Sequence, residues 1–234
     1  MPDSPSQLTL PGQPPIVVTL RRVARARRLS LRVSALDGQV TLSMPARAPR
    51  SQALAFLSEK QAWLEAAVAR APRPLVVGPD STIPFRGGVL QIRSGTAPRA
   101  VMQEGALLLP PDPAGSRTPA RVAAFLKDQA RDALTPAAQR YAEALNRPIT
   151  AISLRDTRSR WGSCTSDGRL MFSWRLIMAP PQVLDYVAAH EAAHLLHMNH
   201  SRAYWDCVAR LVPDYRQHRD WLRKNGASLH AYRF

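Results

Sequence analysis

Apolar and polar residues alternate in three short runs near the start of the chain, IVVTLRRV (16–23), RLSLRVSA (28–35) and QVTLSMP (39–45). A period of two predicts half-buried strands. Leu36-Asp37-Gly38-Gln39, between the last two, carries the D-G pair of a tight hairpin turn. The period then lengthens. In QALAFLSEKQAWLEAAVARA the apolar positions Leu54, Leu57, Trp63, Leu64 and Val68 share one helical face, which Pro72 and Pro74 bring to an end. FRGGVLQIR (85–93) and ALLLP (106–110) read as further strands, and the prolines and glycines between Gly95 and Pro119 as loop or linker. A long helical pattern covers about 120–145, with Val122, Phe125, Leu126, Ala130, Leu134 and Tyr141 toward the core; Pro136 is expected to kink or divide it. ITAISLR (149–155) is a strand, and RWGSC and DGRLMFSWRL form a hairpin through Asp167-Gly168. Three helices follow over about 181–197, 201–211 and 214–224, the last stopped by Asn225-Gly226. No internal repeat is visible.

This order predicts an α+β protein in three parts: a disordered tail over 1–15, with five prolines among Ser, Gly and Gln; a basic, β-rich region with one helix over 16–115; and a second domain over 116–234. No apolar run approaches the length of a membrane span, and the N-terminus lacks the basic and apolar regions of a secretory signal. Cys164 and Cys207 are too few for a disulfide framework and do not form a C-x-x-C pair, so a cytoplasmic location with reduced thiols is expected. The net charge of +15, carried almost wholly by arginine, favours polyanionic partners such as nucleic acid, nucleotides or acidic proteins. A codon-biased, Arg- and Ala-rich composition would give the same charge without any such partner.

The densest chemistry is HEAAHLLHMNH, His190–His200. Residues four apart share a helical face, so His190 and His194 can present imidazoles to one ion, and Glu191, about 100° round the helix, can reach its open side. This is the H-E-x-x-H arrangement of two zinc ligands and a general base. No glutamate follows Glu191, so a glutamate cannot be the third ligand; His197, His200, His218, His230 and three aspartates remain. His197 would lie a further turn along the same helix, and three ligands strung along a straight helix cannot surround a tetrahedral ion. His200 can, if the helix ends near 197–199 and a left-handed Asn199 turns the chain. The spacing H-E-x-x-H-x5-H equals that of the metzincins, with His197 in place of their turn glycine. Three ligands leave one position open, as in catalytic zinc sites. Ser201 is an N-cap for the next helix, whose Tyr204 and Trp205 suit core or pocket wall. His218 is expected on an exposed helix face.

The residues Ser159–Cys164 (S-R-W-G-S-C), Phe172–Leu176 (F-S-W-R-L), H-E-A-A-H-L-L-H and Asn199–Trp205 (N-H-S-x-x-Y-W) together resemble the YgjP-like bacterial zinc metallopeptidases, more distantly related to the SprT and WLM groups. The resemblance is strong over about 150–225 and looser before. It implies a zincin-like domain, with a small antiparallel sheet packed on the metal-binding helix. It also implies one zinc ion held by His190, His194 and His200, Glu191 as catalytic base, and a peptide or protein substrate. Ala192 departs from the bulkier residue common in the family. In zincins a strand above the metal helix pairs with extended substrate, a role open to Arg160–Cys164 or Arg169–Trp174. Arg160, Trp161, Gly162, Ser163 and Tyr204 are accordingly candidate substrate contacts. Trp161, Cys164 and Trp174 also suit simple packing of sheet on helix.

Three functions fit these residues: a zinc endopeptidase, a metal-dependent hydrolase of nucleotide phosphoanhydrides, and a protease recruited to nucleic acid by the basic segment Arg21–Arg32. No G-x-x-x-x-G-K-[ST] loop supports the second, and Gly87-Gly88 is a weak substitute.

Overall fold

The computed structural model describes residues 6–11, 15–34, 38–70, 74–96 and 98–234. The chain divides into two compact units, the first ending at Pro74 and the second running from Leu75 to Phe234. The break therefore lies at 74/75, well before the expected boundary at 115/116. The strands over 75–110 belong with the C-terminal helices because Val77, Ile83, Leu90, Ile92, Leu107 and Leu109 join the same core as those helices.

The first unit holds β1 (Ser6–Leu10), β2 (Ile16–Val23), β3 (Ser30–Val33), β4 (Val40–Pro45), α1 (Arg50–Glu59) and α2 (Gln61–Arg70). Its sheet has the order β1-β2-β4-β3, with β2 and β4 parallel and both outer strands antiparallel to their neighbours. Alternation places Val18, Leu20, Val40, Leu42 and Met44 on one face, against Ala53, Leu57 and Leu64 of the helices. Residues 6–10 are not the disordered tail expected of them: Leu8 is buried opposite Val18, which gives this short segment an apolar anchor. Residues 1–5 and 12–14 lie outside the described residues, as do Leu36 and Asp37 of the expected hairpin turn. The expected single helix is two, separated at Lys60, and Leu54 and Trp63 are exposed rather than buried. Arg21, Arg25, Arg27, Arg28 and Arg32 all face solvent.

The second unit contains β5 (Leu75–Val76), β6 (Thr82–Phe85), β7 (Gly88–Ser94), β8 (Val101–Gln103) and β9 (Ala106–Leu109). Next come α3 (Thr118–Ala144), β10 (Ala151–Arg155), β11 (Gly162–Cys164), β12 (Arg169–Ser173), a 3-10 turn at Trp174–Met178, α4 (Pro181–Ala193), α5 (Arg202–Leu211), α6 (Tyr215–Leu229) and β13 (Tyr232–Arg233). FRGGVLQIR, expected as one strand, is a hairpin: Arg86 and Gly87 take left-handed φ values of 48° and 81° between β6 and β7. The sheet β6-β7-β9-β8 repeats the strand order and directions of the first unit's sheet. A left-handed Glu104-Gly105 turn joins β8 to β9, and Gly38, with a left-handed φ of 67°, falls at the matching place between β3 and β4. The repeat is one of topology, written in turn residues rather than in core side chains.

α3 runs through Pro136 undivided, because Leu134, Ala137, Ala138 and Tyr141 on both sides of it are buried. It packs on α4, which is also contacted by α5, α6 and β11. α4 starts at Pro181, where proline's fixed φ and missing N–H cost nothing. It buries Val183, Leu184, Tyr186, Val187, Ala188, Ala189, Ala192 and Ala193, so it is the central helix of the unit. The sheet over it has the order β10-β12-β11 and is mixed, not antiparallel: β10 is parallel to β12 and β11 antiparallel to it. β11 is thus the edge strand, and β12 the centre.

Arg175, in the 3-10 turn, holds the C-terminus to this sheet. Its guanidinium donates to both Asp156 carboxylate oxygens (2.6 and 3.1 Å) and to the carbonyls of Leu229 (2.8 Å) and Tyr232 (3.1 Å), and lies against the rings of Trp174 and Phe234. Asp156 is half exposed, so the ion pair itself contributes little; the two carbonyls deprived of a donor dominate the loss. Arg175→Met is expected to cost about 2–4 kcal/mol, read as a lower denaturant midpoint with an unchanged m-value.

Candidate metal centre

His190 lies in the last turn of α4 and His194 is its C-cap residue. The helix ends there rather than near 197–199. Over 194–196 the chain tightens into i→i+3 bonds, His194 N to Glu191 O (3.2 Å), Leu195 N to Ala192 O (2.9 Å) and Leu196 N to Ala193 O (3.1 Å). Asn199 is not among the left-handed residues, so this early tightening, not a positive φ, turns the chain away. Ser201 caps α5 by accepting from Tyr204 N, which fixes the entry to the helix next to His200.

The outcome is that one donor atom from each of His190, His194 and His200 lies within 4.8 Å of the others. His190 Nε2 and His200 Nε2 are 3.4 Å apart. Two imidazoles on one tetrahedral zinc, at about 2.0–2.1 Å each, would place their nitrogens about 3.3 Å apart, so this pair already has the chord of a shared ion. His194 Nδ1 bonds the carbonyl of His197 at 2.9 Å, which leaves Nε2 free to ligate; His190 Nδ1 faces the Tyr186 hydroxyl at 3.4 Å. Burial pushes His190 down to about 3 and lowers His194 as well, so both are neutral, as ligands must be. The donor set fits a divalent ion of zinc's type. His197 supplies a backbone carbonyl to the centre, not an imidazole.

Glu191 is 5% exposed, and burial pushes its carboxyl up to about 8 while the Arg160 guanidinium pulls it down. The other acid of α4, Asp185, is taken up by Arg140 and by the Tyr141 hydroxyl. Above Glu191 lies Gly162 of β11: a Cβ there would fall 2.5 Å from Glu191 Cγ and 2.6 Å from its carboxyl carbon. The glycine of R-W-G-S-C is the space the carboxylate occupies.

The remaining candidates separate cleanly. Gly162 packs on Glu191, the Arg160 guanidinium is near enough to lower that carboxyl, and Ser163 lies on the edge strand opposite Met171. Trp161 points away and packs on Gly226 of α6 and the His230 ring (5.0 Å), so it supports the site without facing it. Gly226 therefore does not stop α6, which continues to Leu229; the missing Cβ is where the indole sits. Tyr204 is fully buried, stacks on His194 (4.5 Å) and donates its hydroxyl to the His190 carbonyl (3.0 Å), a position that removes it from the substrate contacts. His218, largely buried rather than exposed, bonds Asp214 at 3.1 Å. Cys164 is raised to about 11 by burial, Glu191 and Asp167, and stays a neutral thiol. The sequence reading missed Tyr186 and Gly226; the i, i+4 relation of Tyr186 to His190 was the available signal for the first.

No helix among the described residues is long and apolar enough to cross a membrane. A family model described as YgjP-like, metallopeptidase domain matches residues 27–225. No curated protein matched the chain. With most of its length covered by that model and three histidines converging beside a buried glutamate, the chain belongs to the YgjP-like metallopeptidase family.

Proposed function

We propose that this metallopeptidase is a zinc-dependent endopeptidase in which His190, His194 and His200 hold a single ion and Glu191 is the general base. The observation that carries the reading is the convergence of the three histidines, with Glu191, next to His190 in the chain, packed against Gly162 of edge strand β11. A bound zinc ion would supply Lewis-acid chemistry, making a water nucleophilic near neutral pH and stabilising the negative charge that develops on the carbonyl oxygen. The protein's own groups do the rest. The Glu191 carboxylate accepts the proton of the attacking water at an Oε atom, holds it in a site shielded from solvent, and returns it to the leaving amine nitrogen. β11 has β12 on one side only, so its other edge offers backbone N–H and C=O groups to an extended substrate. Both cysteines are free, in keeping with action in a reducing cytoplasm.

The test is removal and return of the metal. A chelator is expected to abolish hydrolysis of peptide substrates, and one equivalent of zinc to restore it. Hydrolysis that persists in metal-free protein would rule the reading out.

A further inference from the structure

Two arginines near the histidine cluster, Arg160 and Arg219, have no ion-pair partner among the described residues. Arg160 comes two residues before Gly162, which packs on the Glu191 side chain, and its guanidinium is close enough to lower the Glu191 carboxyl. Arg219, on α6, holds its guanidinium carbon 4.8 Å over the Trp205 ring, and Trp205 in turn stacks on the ring of His200 at 5.6 Å. Both arginines are exposed. Three acids of this unit are engaged elsewhere: Asp214 with His218, Asp220 with Arg223, Asp156 with Arg175. Among the described residues, no ion pair includes Arg160 or Arg219.

Packing alone accounts for an arginine lying on a tryptophan. Stacking, however, uses only the faces of the guanidinium plane. Its N–H donors lie in that plane and remain available, already oriented, which lowers the entropic cost of binding an anion there. Both cations would attract an acidic ligand entering this site.

We propose that the site selects acidic peptide segments, with Arg160 and Arg219 binding carboxylates on residues that flank the scissile bond. The proposal rests on the endopeptidase reading above. A nucleoside triphosphate is also anionic, but the free edge of β11 matches a peptide backbone, and the sequence has no glycine-rich phosphate loop. The overall charge of +15 would add long-range attraction for the same substrates.

Quenched fluorescent peptides test it on the zinc-loaded full chain. Once cleavage sites are mapped by mass spectrometry, Glu and Gln are compared at each position within three residues of the bond. At one or more positions Glu is expected to raise kcat/KM about tenfold or more, the scale of one charge-assisted hydrogen bond. Arg219→Gln or Arg160→Gln brings that ratio toward one, mainly through KM, whereas Arg223→Gln leaves it unchanged. Raising the ionic strength shrinks the ratio in the wild-type protein, which a packing role for Arg219 would not produce. A wild-type ratio near one at every position, or a ratio indifferent to both substitutions, overturns the proposal while leaving the peptidase standing. Cleavage of a nucleoside triphosphate and of no peptide overturns both.

Discussion

Glu191→Gln is expected to lower kcat for peptide hydrolysis by about 10²–10⁴-fold, the range attributable to a positioned general base. The substitution keeps the shape of the side chain and removes only its capacity to take a proton. The metal content should not change, since the proposed ligands are His190, His194 and His200. The unfolding midpoint should not fall either, because burial already penalises a charge at this 5% exposed position and an amide carries none. A rate within a factor of a few of wild type would mean that another group accepts the proton.

Gly162→Ala is the second large effect, and it acts without touching any ionisable group. A single methyl at residue 162 would fall 2.5 Å from Glu191 Cγ, far inside contact distance, so either the carboxylate or β11 must move. Displacement of a catalytic group by about 1 Å is enough to cost on the order of 10²-fold in rate. The loss should appear in kcat, with zinc still bound, because none of the three histidines approaches Gly162 in this way. An alanine enzyme that works as well as wild type would show that Glu191 does not need the place where the structure puts it.

These two residues show what sequence can and cannot reveal. His190, Glu191 and His194 were legible because helical spacing is a local property: four residues apart means one face. His200 was legible by elimination, though not the manner of its arrival. The turn depends on where hydrogen bonding tightens after Ala193, which no single residue type announces. Gly162 was noticed as part of a motif but could not be explained, because the atoms that demand a glycine lie 29 positions downstream. Gly226 misled for the same reason. A glycine near the end of a helical pattern resembles a stop signal, and only the Trp161 ring packed on it reveals its purpose.

The fold shows a similar division. Strand periodicity located β2 and β4 well, and the α+β class with them, since alternation needs no partner to be recognised. The unit boundary was missed because it depends on which core the strands over 75–110 join, a long-range choice. Leu54 and Trp63 were expected inside because their spacing suits one helix. Instead the buried face runs through Ala53 and Leu57 in α1 and Leu64 in α2, and Leu54 and Trp63 fall at its edge, on the surface. Tyr204 was among the candidate substrate contacts, whereas its ring stacks on His194 and its hydroxyl donates to the His190 carbonyl.

The central claim is that three histidines from the end of α4 and the start of α5 bind one ion together. Its most direct test is the zinc stoichiometry and affinity of wild type and His200→Ala, measured by competition with a chromophoric chelator. The prediction is one zinc per wild-type chain and, in His200→Ala, affinity lower by about 10²-fold or more with the circular dichroism spectrum retained. A His200→Ala protein that holds zinc as tightly as wild type, or a wild-type chain that cannot be loaded with zinc, would contradict it.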